Sequence, residues 1–132
     1  MSTVPLVGSV VGAPKLVLRI EGAVLFVASI ALFAIQGQAW WLYPALLLVP
    51  DVFMLGYLRN TKLGSITYNL GHSYPAAALV TAFGFILASP LTIAIGAIWF
   101  GHIGWDRMLG YGLKYGTSFK HTHLGDLEKP KS

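Results

Sequence analysis

The sequence predicts an all-α integral membrane protein, a four-helix up-and-down transmembrane bundle with both termini in the cytoplasm. The first observation behind this fold class is composition, because the 132 residues are 55% hydrophobic and only 11% charged. Mean hydropathy is +0.67, whereas ordinary soluble domains carry about 25% charged residues. The chain has no cysteine, which excludes disulfides, thiolate metal ligands and a cysteine nucleophile.

The second observation is the length of the apolar stretches. About 20 helical residues cross the roughly 30 Å of hydrocarbon in a bilayer. Four stretches meet this length within one domain, residues 16–115, and predict helices near 16–36, 40–58, 63–88 and 90–113. The links GQA, RNTK and SP are short, so consecutive helices are expected to be antiparallel. Residues 1–15 are predicted to be a cytoplasmic lead-in and residues 116–132 a cytoplasmic tail.

The third observation is that lysine and arginine fall on one side of the predicted helices. They lie near the N-terminus, in the RNTK loop or towards the C-terminus, while the GQA and SP turns carry none. The positive-inside rule therefore places both termini in the cytoplasm. Residues near helix ends are predicted to anchor the chain at the membrane surface, namely Arg19, Arg59, Lys62 and Lys114.

All four predicted helices carry polar side chains at one depth, near the cytoplasmic side. These residues are Glu21, Asp51, Asn69, His72, His102 and Asp106. Asn69 and His72 are three residues apart and His102 and Asp106 four, so each pair shares a helix face. A carboxylate at a helix centre costs about 2–3 kcal/mol on insertion. The carboxylates are therefore expected to point inward.

Carboxylates and histidines that face one another have the ligand chemistry of a metal site. Zinc, iron and manganese all accept such ligands, and soluble four-helix proteins use them to build two-metal sites. A divalent cation also relieves the repulsion between carboxylates in a low-dielectric layer. We expect one or two divalent ions, with the predicted ligands Asp51, His72, His102, Asp106, Glu21 and, from the tail, His123.

Single candidates also have plainer interpretations. His72 or His102 taken alone is more often an interhelical hydrogen-bonding residue than a ligand. Arg107 is either a surface anchor or an ion-pair partner. His123 either folds back over the bundle or stays solvated in the tail. The common depth of several such groups favours the metal site.

Five segments resemble the motif set of a family of small bacterial integral membrane proteins classed as a domain of unknown function: LRIEG at 18–22, PDVFMLGYL at 50–58, YNLGHSY at 68–74, HIGWDRMLGYGLKY at 102–115 and THLG at 122–125. The resemblance covers residues 16–125. It implies a multi-pass protein of the bacterial inner membrane, with motif positions at Glu21, Asp51, Asn69, His72, His102, Asp106 and His123.

A looser similarity extends to intramembrane metal hydrolases such as alkaline ceramidases and adiponectin-type receptors, which combine histidines and an aspartate at one membrane face. Those proteins have seven helices and an HxxxH pattern, where this chain has four predicted helices and His102-x-x-x-Asp106. The comparison is therefore an analogy between sites.

The leading functional hypothesis is a cytoplasm-facing metalloenzyme that acts on a lipid or other amphiphile. A metal-bound water would be the nucleophile, with Glu21 or Asp106 as general base. Tyr68, Asn69 or Arg107 would stabilise developing negative charge. A di-iron pair would replace hydrolysis with redox chemistry.

Other functions stay open at this point. A haem held between His72 and His102 would make the chain an electron-transfer subunit, and the polar layer would also suit an ion pathway. The plainest alternative is a non-enzymatic accessory subunit held together by buried polar contacts. Expected partners are the bilayer, further copies of the chain or a larger membrane complex, with no nucleic acid.

Overall fold

The computed structural model describes residues 8–114 and 121–126 and shows a helical protein with one short β-hairpin. The α-helices are α1 Gly12–Ala34, α2 Leu42–Leu46, α3 Thr61–Gly71, α4 Tyr74–Ile86 and α5 Pro90–Leu109. A 3₁₀ helix, Val49–Leu58, lies between α2 and α3, and strands β1 His121–Thr122 and β2 Gly125–Asp126 form the hairpin. The predicted all-α class is confirmed, apart from these two-residue strands.

Helix α5 lies at the centre and packs against α1 and α4, which both run antiparallel to it. Glycines allow the close approach of α1, because a Cβ on Gly22 would lie 2.8 Å from the carbonyl oxygen of Gly104. The 3₁₀ helix and α3 form a second antiparallel pair. Trp99 joins this pair to α5, since its ring stacks on Phe53 at 6.0 Å.

Two of the predicted helices are broken in the structure. The predicted helix 40–58 is α2 followed by the 3₁₀ helix, and the predicted helix 63–88 is divided into α3 and α4. Pro50 and Pro75 each stand at the start of the second piece, where proline cannot donate the hydrogen bond of a continuous helix. Both breaks leave backbone carbonyls available to side chains of α5.

The C-terminal hairpin docks against the N-terminal end of the described chain. The backbone N–H of Val10 donates to the carbonyl of His123 at 2.7 Å, and Leu124 is fully buried. Helix α5 ends at Gly110, whose φ of 91° is the left-handed conformation typical of a glycine after a helix. Residues 1–7 of the predicted lead-in, residue 115 at the end of the predicted helical domain, and 116–120 and 127–132 of the predicted tail lie outside the described residues.

Within the described residues, α1 is the one helix that is both long and apolar enough to cross a membrane. Only 17% of its most apolar window is buried inside the protein, so its apolar surface faces outward. Helix length alone does not support the prediction of four membrane spans, because α2 has 5 residues and α4 has 13. Helix α5, with 20 residues, is about 30 Å long.

Candidate metal centre

Four of the predicted ligands meet in one cluster, and three different elements position them. Asp51 lies in the first turn of the 3₁₀ helix, His72 caps the C-terminal end of α3, and His102 and Asp106 lie one turn apart on α5. One ligand atom of each residue lies within 4.8 Å of the others. The break between α3 and α4 places His72 at this meeting point.

The two imidazole rings present their Nε2 atoms to each other and to the carboxylates. The His72 and His102 Nε2 atoms are 2.9 Å apart. Oδ1 of Asp51 lies 3.0 Å from Nε2 of His72 and 3.1 Å from Nε2 of His102. Oδ2 of Asp106 lies 3.5 and 3.3 Å from the same two nitrogens. Two nitrogens and two oxygens therefore converge on one point.

The opposite edge of each ring fixes its tautomer. Nδ1 of His72 lies 2.9 Å from the backbone carbonyl of Tyr68, and Nδ1 of His102 lies 2.6 Å from that of Leu47. A carbonyl only accepts hydrogen bonds, so both Nδ1 atoms carry hydrogen. In a neutral ring this leaves a lone pair on Nε2. Metal-binding histidines characteristically donate their second N–H to such an acceptor.

Burial differs sharply among the four ligands. The side chains of His72 and His102 are 3% and 2% exposed and that of Asp106 is 14% exposed, while that of Asp51 is 35% exposed. The cluster therefore opens to the surface beside Asp51, and the histidines form its closed floor.

The donor set could hold a divalent metal ion. Zinc bonds of about 2.0–2.2 Å to nitrogen and oxygen correspond to ligand–ligand separations of about 3.3–3.6 Å at tetrahedral angles. The nitrogen–nitrogen and nitrogen–oxygen separations of the cluster are 2.9–3.5 Å. Haem does not fit, because a bis-histidine haem needs its two nitrogens on opposite faces of a porphyrin rather than in contact.

Tyr68 and Asn69 contact groups next to the cluster. The Tyr68 ring stacks on that of His72 at 3.8 Å with an interplanar angle of 6°. The Asn69 side chain accepts from the N–H of Lys114 at 2.6 Å and donates to its carbonyl at 2.8 Å. Both residues therefore hold neighbouring groups in place, and their role in stabilising negative charge stays a prediction.

Lys114 is buried, although the sequence predicts an anchor at the membrane surface. It is 5% exposed, and its Nζ lies 4.8 Å from the centre of the Tyr68 ring. Burial lowers the pKa of Lys114 to about 8, and the nearby charge of Asp106 opposes part of that shift. Position in the sequence carried no signal for this burial.

Arg107 is buried and faces away from the open side of the cluster. Its Nη2 donates to the carbonyl of His72 at 3.0 Å, and its Nη1 lies 2.9 Å from Nε2 of His123. The guanidinium also lies over the Tyr74 ring, 5.7 Å from its centre. Arg107 is therefore buried instead of being a surface anchor, and it forms no ion pair with a carboxylate of the residues that the structure describes.

His123 does not join the four ligands. Its Nδ1 accepts from the backbone N–H of Leu113 at 2.8 Å, and its Nε2 faces Arg107. A neutral imidazole has one lone pair and accepts at only one of these two nitrogens, and an imidazolium accepts at neither. Burial and the guanidinium of Arg107 accordingly lower the pKa of His123 to about 4. His123 thus folds back over the bundle, which is one of the two predicted positions for it. There it contacts Arg107 instead of the cluster.

Glu21 is also outside the cluster. It is exposed on α1 and lines an apolar groove of about 560 Å³, together with side chains that include Val17, Val24, Tyr74 and Phe100. Glu21 lies near the height of Asp106 along the bundle, because the adjacent Gly22 packs beside Gly104 and Arg107. The predicted height does not specify the direction of the side chain, and α1 directs Glu21 to the groove instead of the cluster.

Two contacts of α5 with freed carbonyls were also missed. Nδ1 of His102 reaches the carbonyl of Leu47, and the indole N–H of Trp99 donates to the carbonyl of Gly71 at 2.6 Å. Gly71 is four residues before Pro75, where the missing N–H would have closed the helix. Pro50 and Pro75 are the sequence features that indicate these contacts, since each proline leaves a backbone carbonyl near a ligand without its helical hydrogen bond.

The protein is thus a helical protein with a candidate metal centre of two histidines and two aspartates. The cluster lies between an interrupted helix pair and a central helix. The chain belongs to the family Domain of unknown function (DUF4260), whose sequence pattern matches residues 15–127. This confirms the expected membership of a family classed by an unknown function. No curated protein and no solved structure matches the chain, so the analogy with intramembrane hydrolases gains no support from these comparisons.

Proposed function

We propose that this protein is an integral membrane metalloenzyme that binds one zinc ion and hydrolyses an amphiphilic substrate. The ligands are Asp51, His72, His102 and Asp106. The observation that carries the proposal is the 2.9 Å separation of the two Nε2 atoms, each in a ring whose Nδ1 is already committed to a carbonyl. In neutral rings these two lone pairs repel each other, and a cation bound to both nitrogens removes the repulsion.

A proton fills this role less well than a divalent metal. One proton shared between the Nε2 atoms of His72 and His102, beside two ionised carboxylates, leaves the cluster with a net charge of −1. A second proton makes the cluster neutral, with an N–H of each ring directed at a carboxylate, but it places two imidazolium rings with their Nε2 atoms 2.9 Å apart. A divalent ion neutralises both carboxylates and bonds to all four donors, which offsets the desolvation of a buried charged group.

The number of carboxylates favours one ion over two. Di-iron sites in four-helix proteins use a glutamate from each of two helices and a Glu-x-x-His motif from each of the other two. Here only Asp51 and Asp106 meet the histidines, and Glu21 lies outside the cluster. Zinc suits four nitrogen and oxygen ligands at tetrahedral spacing, while manganese favours octahedral oxygen sites. We therefore favour hydrolysis over di-iron redox chemistry.

The open side of the cluster is the place for substrate and water. A bound zinc ion supplies Lewis acidity, which polarises a carbonyl and lowers the pKa of water. Asp51, the most exposed ligand, is the carboxylate able to leave the ion and accept a proton from the attacking water. The buried histidines keep the ion in place meanwhile. Water then adds across an ester or amide bond, giving a carboxylic acid and an alcohol or amine.

The surface around the opening favours an amphiphilic substrate. Leu48, Val52 and Leu55, which flank Asp51 in the sequence, are 65%, 53% and 60% exposed. An apolar surface of this kind is suited to the hydrocarbon region of a bilayer. With the segregation of the basic residues, it supports a multi-pass protein of the inner membrane with both termini in the cytoplasm. The bilayer and its lipids are then the immediate partners, alone or within a larger complex.

A structural zinc site is the second candidate. Four protein side chains fill a tetrahedral shell, and closed four-ligand sites are typical of structural zinc, whereas catalytic zinc keeps one position for water. In that case the chain is an accessory membrane subunit whose fold depends on the ion. The two candidates differ in the role of Asp51, which is a permanent ligand in one and a displaceable ligand in the other.

The test uses the full chain purified in detergent, loaded with zinc and mixed with micelles of ester-linked and amide-linked acyl lipids. The enzyme hypothesis predicts zinc-dependent release of fatty acid by wild type, loss of release in His102→Ala and normal release in Arg19→Gln. Asp51→Asn should retain zinc but lose most of the activity. No release by zinc-loaded wild type from either lipid class, together with a lower unfolding temperature after zinc removal, would select the structural candidate.

A further inference from the structure

Arg107 connects the metal cluster to the C-terminal hairpin through two contacts of one guanidinium. Nη2 donates to the carbonyl of His72 at 3.0 Å, and Nη1 lies 2.9 Å from His123. The residue is only 9% exposed. No carboxylate of the described residues lies within 4 Å of it as a salt-bridge partner. A buried cation is thus committed to a backbone carbonyl and an imidazole.

The carbonyl that Arg107 binds belongs to a predicted metal ligand at a point where the helix stops. The N–H of His72 still bonds to Tyr68 at 3.0 Å, but its φ of −114° and ψ of 15° end α3. Beyond this residue no α-helical hydrogen bond holds the backbone until α4 begins at Tyr74. The hydrogen bond from Arg107 fixes the His72 peptide, and with it the direction of the ring.

The hairpin holds the other side of the guanidinium with a network of its own. The His123 N–H donates to Leu113 at 3.1 Å, and its carbonyl accepts from Val10 at 2.7 Å. Ser9 donates to the carbonyl of Thr122 at 2.8 Å. A Cβ on Gly112 would lie 2.5 Å from Nδ1 of His123, so the hairpin fits closely against the end of α5.

We propose that Arg107 is a positioning residue for the metal centre, and that docking of the hairpin through His123 and binding of the metal stabilise each other. This inference rests on the metal site proposed above. With the hairpin docked, the guanidinium is held on the His72 carbonyl and the ring is aimed at the other ligands. Coupling between two binding events is reciprocal, so metal must stabilise the docked hairpin by the same factor.

The experiment measures zinc affinity by competition with a chromophoric chelator, using the full chain in detergent. Arg107→Gln should weaken zinc binding about 10–100-fold, as loss of groups that orient metal ligands does. His123→Ala should weaken it about fivefold or more, and His123→Gln, whose side-chain oxygen can accept from the guanidinium, should restore most of the affinity. Arg19→Gln is the matched control, because Arg19 also donates to an α5 carbonyl, that of Met108 at 2.9 Å.

A second measurement needs no substitution. Zinc should slow hydrogen exchange at the amides of Leu113 and His123 in wild type and leave that of Ala88, at the other end of α5, unchanged. A purely structural role for Arg107 would not make the hairpin sensitive to zinc. Wild-type zinc affinity in Arg107→Gln, or hairpin exchange that ignores zinc, overturns the positioning role alone. Failure of wild type to bind zinc overturns both this inference and the proposed metal centre.

Discussion

Nε2 of His72 lies 2.9 Å from Nε2 of His102, while the Nδ1 atom of each ring is turned to a backbone carbonyl. The residues are 30 positions apart, and each ring depends on a local feature of the backbone for its direction. His72 stands where α3 ends, and His102 reaches a carbonyl next to the break between α2 and the 3₁₀ helix. Interrupted helices therefore supply the outer contacts that aim both imidazoles at one point.

Asp106→Asn should reduce bound zinc and lower stability, because the change removes a charge but keeps the size of the side chain. Leaving the other members of a buried charged cluster without their partner costs about 3–5 kcal/mol. Zinc content and the unfolding temperature of the purified variant measure both effects. Glu21→Gln makes the same chemical change on the exposed face of α1 and should leave both quantities as in wild type. Equal, small effects in the two variants would argue against a shared metal.

Gly22→Ala should destabilise the bundle by about 1–3 kcal/mol, as overpacking of a close contact does. A Cβ there would lie 2.7 Å from the backbone nitrogen of Met108 and 2.8 Å from the carbonyl oxygen of Gly104. Helices α1 and α5 would have to separate. Ala31→Val, which adds bulk to an exposed position of α1, is the control in the same denaturation series. If the two variants are equally stable, the close approach of the helices is not a source of stability.

The stability conferred by His123 should depend on pH in the acid range. Burial and Arg107 lower the pKa of His123 from 6.5 to about 4 on folding, so the unfolded chain binds the proton more tightly. The contribution is therefore fully present above pH 6.5 and is lost as the pH falls towards 4.

The difference in unfolding free energy between wild type and His123→Gln isolates the contribution of His123, because the two proteins share every other ionisable group. The difference should be constant above pH 7 and should decline between pH 6.5 and 4. A difference that stays constant down to pH 4 would show that His123 has its ordinary pKa in the folded protein.

Membrane topology gives a prediction that the absence of cysteine makes simple to test. Single cysteines at Gln38 and Leu87, which lie in the turns without basic residues, should react with a membrane-impermeant maleimide in intact cells. Lys62→Cys should react only after the cells are opened, because the basic loop is cytoplasmic. Labelling of Lys62→Cys in intact cells would reverse the orientation and place the cluster near the outer face.

The cluster could be predicted to the extent that it depends on helix geometry. The four-residue spacing of His102 and Asp106 put both on one face of a helix, and short links between antiparallel segments brought Asp51 and His72 to the same height. Rotation of each helix about its axis is set by tertiary packing, which explains why Glu21 shared the predicted height and still faces elsewhere.

The breaks and the buried cations were harder to predict. Pro50 and Pro75 stand at the two breaks, but hydropathy alone predicts continuous spans, because both segments are apolar throughout. The sequence predicts Lys114 as a membrane-surface anchor and Arg107 as either an anchor or an ion-pair partner, since their positions match those of anchors. Their burial depends on contacts with His123 and Tyr68, which come from remote parts of the chain.

Metal analysis of the wild-type chain, purified in detergent without chelator, tests the central claim most directly. The account predicts one zinc ion per chain, no Soret band, and loss of the ion in His102→Ala, whose side chain forms the closed floor of the cluster. Wild type without metal after incubation with zinc, two ions per chain, or full occupancy in His102→Ala would contradict a single zinc ion between His72 and His102.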